Sequence, residues 1–295
     1  MKNRFFFIVI NPKAGQRKYN WKLDRLKLAL EERQFQYEVY FTSPEKKADE
    51  VIKDNLNPEK ISDLVVFGGD GTLHEVINGV GDRGIPISVI STGTGNDSVK
   101  PLYKKRRFLD QLHIALDGKI KEVDAGICND RLFINGLGIG FDGKVVELMQ
   151  TNFNKQPGYI SYLQTVLKIL ATYKESELSF TIDDKSFNEA CLLLTIGNGT
   201  TFGGGFKITP QAKMDDGLLD VCIMGKITPW KRFLHLPKMK NGTHGKIKTV
   251  QFAKGKEIII DATDDAVAHI DGEYFSNPPF NIKVLPNHLL FRIPS

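Results

Sequence analysis

From Phe5 to Leu116 the chain alternates short apolar runs with amphipathic stretches, and three of the apolar runs end in glycine-bearing loops. No other feature constrains the fold as strongly. Phe5–Ile10, Leu64–Phe67 and Ile85–Ile90 read as strands, and Phe35, Tyr37, Val39 and Phe41 alternate as a strand does. Helical spacing fills the intervals. Trp21–Glu31 puts Leu23, Leu26 and Leu30 on one face, Ala48, Val51 and Ile52 mark a second helix, and Leu73–Asn78 and Arg107–Leu116 follow. Strands alternating with helices predict an α/β N-terminal domain with a mostly parallel sheet covered on both faces. Such sheets bind ligands at the carboxyl ends of their strands. The loops NPKAG (Asn11–Gly15), GGDGT (Gly68–Thr72) and STGTGND (Ser91–Asp97) all fall there, so they can line one crevice.

After about Asp124 the pattern changes to short strand candidates at close spacing, among them RLFINGLGIG, ELSFTIDD, EACLLLTIGN, GLLDVCIM, EIIIDA and FNIKVL. One long helix, about Ile160–Tyr173, interrupts them. The expected organisation is a nucleotide-binding domain over residues 1–124 and a mainly β, sandwich-like domain over 125–295. The tail HLLFRI can pair in either. Gly138, Gly140 and Gly143 match GxGxxG, but the acidic residue that a dinucleotide site needs about 20 positions on is missing. A tight strand-to-helix link between the domains accounts for these glycines instead.

Composition excludes several classes. The 295 residues are 41% hydrophobic and 25% charged, ordinary for a globular protein, and the net charge of +5 permits an anionic partner without naming one. No stretch approaches the ~20 apolar residues of a membrane span, and Phe5–Ile10 is shorter than the roughly 7–15 residues of a signal-peptide core. Cys128, Cys191 and Cys222 lack CxxC spacing and sit in apolar contexts, as reduced core residues of a cytoplasmic protein do.

GGDGT poses the chemical question. Gly68, Gly69 and Gly71 strip the junction of side chains, so backbone N–H groups can reach a ligand and positive φ becomes cheap. A helix N-terminus behind such a turn favours anions, phosphate above all. Asp70 in that turn is repulsive unless a metal ion or a bound water stands between. The plain alternative is a surface turn with Asp70 and Thr72 as helix caps. The two companion loops, with the same mix of glycine, hydroxyl, carboxylate and lysine, weigh against it. GxxxxGK[ST] does not occur.

Two later motifs, AKMDDGLLDV (Ala212–Val221) and HIDGE (His269–Glu273), complete a set of five with NPKAG, GGDGT followed by Glu75, and GTGND. Together they resemble the diacylglycerol-kinase catalytic domain family, the bacterial lipid kinases related to sphingosine kinases. The similarity covers the whole chain. GGDGT alone is less specific, since NAD kinases share it, and the family usually has Asn where this chain has His74. The resemblance implies an ATP- and Mg2+-dependent kinase that transfers the γ-phosphate to the hydroxyl of a diacylglycerol-like lipid, giving phosphatidate. Other lipid alcohols (sphingoid, ceramide or phosphatidylglycerol), an NAD kinase, and a non-catalytic lipid- or nucleotide-binding module are the alternatives.

The resemblance also implies roles. ATP contacts are Asn11, Pro12, Lys13, Ala14, Gly15, Thr42, Gly68, Gly69, Asp70, Gly71, Thr72, Leu73, His74 and Thr94. Asp70 holds magnesium directly or through water, and Asp97 and Asp124, each at a strand end, join that network; a solvated loop acid is the other reading of Asp124. Glu273 is the proton acceptor and Asp271 orients it, against the alternative of a turn acid. A second, structural magnesium uses the Asp216 carboxylate and the backbone carbonyls of Lys213 and Leu218, against a metal-free hairpin turn.

The expected partners are ATP and a lipid alcohol, with peripheral contact to an anionic membrane; a homodimer stays open and no nucleic acid is expected. The membrane-facing candidate is PWKRFLHLPKMKNGTHGKIK, where Trp230, Phe233 and Leu234 stand among Lys231, Arg232, Lys238, Lys240, Lys246 and Lys248. The same stretch reads as a solvated basic face over a core helix. The run KKRR (Lys104–Arg107) reads either as such a face or as a neighbour of nucleotide phosphates.

Overall fold

The computed structural model describes residues 4–15, 19–104, 107–152, 159–262 and 266–295, with side chains 151–162 left aside. Lys105 and Arg106 of the KKRR run lie outside the described residues. The chain divides into two compact units, Met1–Ala125 with Pro286–Ser295, and Gly126–Leu285.

The first unit is α/β. It runs β1 (Phe5–Ile10), α1 (Asn20–Glu32), β2 (Gln36–Phe41), α2 (Ala48–Asn55), β3 (Asp63–Gly68), α3 (Asp70–Val80), β4 (Ile87–Ser91), α4 (Lys100–Tyr103), α5 (Phe108–Asp117) and the start of β5 (Lys119–Cys128). β2, β1, β3 and β4 are neighbours in that order and all parallel, in registers such as Ile8↔Val39, Ile8↔Val65 and Val66↔Val89. Every residue of β1 and β3 is buried, which is the signature of a parallel sheet covered on both faces. Leu23, Leu26 and Leu30 of α1 and Ala115 and Leu116 of α5 pack on Phe6, Ile8, Ile10, Val65 and Phe67.

Two element starts in this unit differ from the sequence reading by two residues or more. The strand expected over Ile85–Ile90 begins at Ile87, because Gly84 turns at φ +64° and Pro86 has no N–H to give the ladder. The helix expected from Leu73 begins at Asp70. Extended Gly69 is its N-cap, so Asp70, Gly71 and Thr72 form the first helical turn, where a carboxylate complements the helix dipole.

The second unit is mainly β, with β6 (Arg131–Phe133), β7 (Gly136–Gly140), α6 (Phe141–Asn152), α7 (Tyr159–Thr172), β8 (Ser176–Ile182), β9 (Lys185–Gly197), β10 (Leu219–Gly225), α8 (Pro229–Asn241), β11 (Val250–Gly255), β12 (Glu257–Asp261), β13 (Ala268–Ile270), β14 (Glu273–Phe275) and most of the first half of β15 (Phe280–Ile293). β9 organises it. Its first half pairs with β8, and its second half lies between β7 and β10, all antiparallel. Leu178, Phe180, Ile182, Ile258 and Ile260 alternate inward to meet Leu137, Ile139, Val221 and Ile223. The opposite face of β9 and β10 packs Leu193, Cys222 and Met224 beneath Ile227, Met239 and Val250.

Among the described residues, α6 and α8 interrupt the strands as well as the expected helix, α7. The GxGxxG stretch joins β7 to α6 inside this unit, not between domains, because both elements belong to Gly126–Leu285. The tail serves both units. Phe280–Ile282 pairs with β12, and Phe291 pairs in parallel with Ile87 of β4. All three cysteines are free and buried, and burial pushes each thiol up to about 12. No described helix is long and apolar enough to cross a membrane.

Candidate active site

In the first unit the three glycine-bearing loops meet one another at the carboxyl ends of β1, β3 and β4. Asn11 is the linchpin. Its backbone N–H donates to the Phe67 carbonyl at 3.0 Å, its Nδ2 donates to Thr72 Oγ1 at 2.9 Å, and its Oδ1 accepts the Lys13 N–H at 3.0 Å. Gly15, at φ +71°, passes so close to the third loop that a Cβ there would stand 2.1 Å from the Thr92 carbonyl oxygen. Gly93 faces Gly69 in the same way, with room for no side chain between them: a Cβ on Gly93 would lie 2.7 Å from Gly69 Cα. These glycines are required by packing, because a side chain at Gly15 or Gly93 would collide with the neighbouring loop.

The residues assigned to ATP divide by burial. Asn11, Pro12, Ala14, Gly15, Gly69, Asp70 and Gly71 are half-buried, and Lys13 and Thr94 are exposed. Gly68, Thr72, Leu73, His74 and Thr42 are buried, so they shape the loops from behind. Glu75, which follows the motif, caps α2 by accepting the Ala48 N–H at 3.1 Å. The basic run contributes too. Lys100, Lys104 and Arg107 line a pocket of about 380 Å3 with Gly95, Asn96 and Gln111, and no carboxylate lines it. Lys104 and Arg107 of KKRR thus stand beside the GTGND loop.

The three candidate acids of this unit have different environments. Burial raises the pKa of Asp70, and the neighbouring Asp97 charge adds to that, while the Ser98 N–H, 2.9 Å from Oδ1, works the other way. Asp97 is buried and paired with Lys100 Nζ at 2.5 Å. Two desolvated carboxylates, one of them poorly compensated, make a donor set of the kind a hard divalent cation neutralises. Asp124 is neither at a strand end nor in a solvated loop. It lies in the middle of β5, only 1% exposed, and accepts the Asn287 N–H at 2.8 Å, so it anchors the returning tail.

In the second unit Glu273 opens β14, half-exposed, and its Oε2 accepts from Gln150 at 3.1 Å. Asp271 and Gly272 form the two-residue turn before it, with φ of +50° and +86°, as a type I′ hairpin requires. The Asp271 carboxylate takes the backbone N–H groups of Ile134, Asn135 and Gly136 at 2.9–3.0 Å. These bonds hold the turn in place. Asp216 accepts the Leu218 N–H at 3.3 Å and pairs with Lys254 Nζ at 2.9 Å; the same ammonium reaches Asp220 at 3.1 Å. The cation beside Asp216 is thus a lysine, and among the described residues no group of three or more His, Cys, Asp or Glu could hold a metal.

On α8, Trp230, Phe233 and Leu234 are exposed, as are Lys231, Lys238 and Lys240, and Lys246 and Lys248 are exposed in the segment that follows it. Arg232 must be removed from that surface. It is 3% exposed, and its guanidinium donates to the Ile227, Leu170 and Tyr173 carbonyls and to Glu175 at 2.7–2.9 Å. An i,i+4 rule cannot tell it from its exposed neighbours, because its partners come from 5 to 62 positions away.

Residues 5–128 match the diacylglycerol kinase catalytic domain, and residues 136–292 match the YegS C-terminal NAD kinase beta sandwich-like domain. A Staphylococcus saprophyticus protein named diacylglycerol kinase is 28% identical over 285 residues, covering 96% of this chain and 93% of that protein. One of the same name from Staphylococcus epidermidis is 29% identical over 288 residues, covering 96% and 90%. The crystal structure of a diacylglycerol kinase from Bacillus anthracis has the same fold, with a TM-score of 0.80 at 24% identity over 100% of this chain and 99% of that one.

Proposed function

The chain belongs to the bacterial diacylglycerol kinase family, and from that premise we propose an ATP-dependent lipid kinase that phosphorylates the hydroxyl of a diacylglycerol-like lipid, giving phosphatidate. One observation carries the reading: three loops packed glycine against glycine leave backbone N–H groups and the first turn of α3 around Asp70. That arrangement suits a polyphosphate accompanied by a divalent cation. The loops from Asn11 to Gly15 and from Gly69 to Gly71, with Thr94, bind and orient the nucleotide. Asp70, with Asp97 beside it, would hold magnesium, which spreads the charge of the transferring phosphoryl group when bound. Lys100, Lys104 and Arg107 offset the negative charge around the third loop. Glu273 accepts the proton of the lipid hydroxyl, and Asp271 keeps its hairpin in place.

A structural magnesium at Asp216, held with the Lys213 and Leu218 carbonyls, would have to displace Lys254. If it does, magnesium raises the melting temperature of the wild type more than that of Asp216→Ala. An equal rise in both leaves Lys254 as the cation of that turn. The exposed aromatic and basic residues of α8 support peripheral contact with an anionic membrane, and the three buried thiols suit a cytoplasmic setting.

The second reading is an NAD kinase, favoured by the family name matched over residues 136–292. Radiolabelled ATP offered with a panel of diacylglycerol, sphingoid, ceramide and phosphatidylglycerol acceptors, and separately with NAD, decides between them. Magnesium-dependent label in phosphatidate is expected. Efficient NADP formation with inert lipid alcohols would sink the lipid-kinase reading.

A further inference from the structure

Glu273 is half-exposed on a three-residue strand, which by itself does not keep a carboxylate aimed one way. The turn before it is held at two points. Asp271 is one. The other is His269, 6% exposed, whose Nδ1 accepts the Gly272 N–H at 3.3 Å. An acceptor at Nδ1 puts the ring proton on Nε2, and Nε2 stands 3.5 Å from Asp142 Oδ2. Asp142 is itself fixed: Oδ1 accepts the Gly143 N–H at 2.9 Å and Oδ2 accepts the Thr195 hydroxyl at 3.2 Å.

The glycines of GLGIGFDG make this contact sterically feasible. A Cβ on Gly138 would lie 2.1 Å from Asp142 Oδ2 and 2.6 Å from His269 Nε2, and one on Gly143 would lie 2.2 Å from the Val267 carbonyl oxygen. Thus α6 packs directly on the strand that carries His269. Its far end supplies Gln150, the side chain that bonds Glu273.

We infer that Asp142 and His269 are positioning residues for Glu273: Asp142 selects the His269 tautomer, and His269 Nδ1 holds Gly272 and so the aim of the next residue. The inference rests on Glu273 being the proton acceptor. It also gives the GxGxxG match a purpose, as the seat of the catalytic hairpin rather than of a dinucleotide.

Asp142→Asn tests it with little change of shape. The amide oxygen can still take the Gly143 N–H, but the NH2 then faces Nε2 and favours the other tautomer, which sets Nδ1–H against Gly272 N–H. Turnover should fall roughly 10- to 100-fold with KM for ATP unchanged. Long-range 1H–15N spectra of the imidazole should show the proton on Nε2 in the wild type and on Nδ1 in the variant. In a Glu273→Gln background, itself lowered by roughly 10²–10⁴-fold, the same substitution should change the residual rate by no more than about twofold. Wild-type turnover in Asp142→Asn, or an equal loss in both backgrounds, overturns the positioning role while leaving Glu273 as the base. Wild-type turnover in Glu273→Gln instead removes the base, and the positioning role with it. A second pair guards against misfolding: His269→Asn, whose Oδ1 can replace Nδ1 as acceptor, should outperform His269→Leu, and equal rates in the two overturn the inference.

Discussion

Asp70 shows how a single residue can be set against the stability of its own fold. Its carboxyl is desolvated at the start of α3, and burial raises its pKa. A group with a raised folded pKa binds its proton more readily in the native state than in the unfolded chain. The native state is therefore favoured at low pH and loses that favour as pH rises through the folded value. Near neutral pH the ionised Asp70 costs stability unless a cation lies against it. Asp70→Asn keeps an oxygen for the Ser98 N–H and removes the charge. Without metal, the variant should melt above wild type at about pH 7, and the margin should shrink towards about pH 4, the ordinary carboxyl range. It should also lose nearly all turnover, a trade of activity against stability. A lower melting temperature for the variant near neutral pH would mean that the desolvated charge is already compensated.

Between elements, a second carboxylate besides Asp124 ties the tail into the first unit. Asp63, at the start of β3 and 1% exposed, accepts from Arg4 Nε and Nη2 at 2.8 and 2.7 Å and from Arg292 Nε at 2.6 Å. The residue before β1, the head of β3 and the end of β15 thus share one buried charge cluster. Removing the acid leaves two guanidinium groups without their counter-charge. Asp63→Ala should destabilise the first unit by about 3–5 kcal/mol, read as a shift of the urea midpoint. Arg292→Ala should cost less, since Asp63 keeps its two-point contact with Arg4. A loss below about 1 kcal/mol for Asp63→Ala, the worth of a surface pair, would show that the cluster stays hydrated.

At the scale of the whole molecule, the question is how the chain meets a lipid. The surface of α8 exposes 63% of Trp230 and 62% of Leu234 beside Lys231, Lys238 and Lys240. With Arg232 turned inward, the attraction rests on the lysines. Each basic residue near an anionic surface contributes about 1 kcal/mol, screened within a Debye length. Reversing Lys238 and Lys240 to Glu should weaken binding to anionic vesicles at low salt by at least about 30-fold. At high salt the difference should narrow. Turnover on a short-chain, water-soluble diacylglycerol should change much less, because neither residue belongs to the loops around Asp70. Co-sedimentation at two salt concentrations checks this; undiminished binding of the double variant at low salt would leave α8 a solvated basic face.

The sequence by itself determined the α/β order of the first unit, the β character of the second and the three glycine loops. These are legible because period, turn chemistry and the steric freedom of glycine act over a few residues. The tertiary structure decided what each carboxylate does. Asp124, Asp271 and Asp70 are all acids beside strands or turns in the sequence. Yet Asp124 holds Asn287, Asp271 holds three N–H groups from 135 to 137 positions away, and Asp70 is left desolvated. Arg232 and Asp142 carry no local mark either, because their partners arrive from distant segments. An acid becomes an anchor when folding brings enough donors to its oxygens, and a candidate ligand when burial outweighs the donors that it gains.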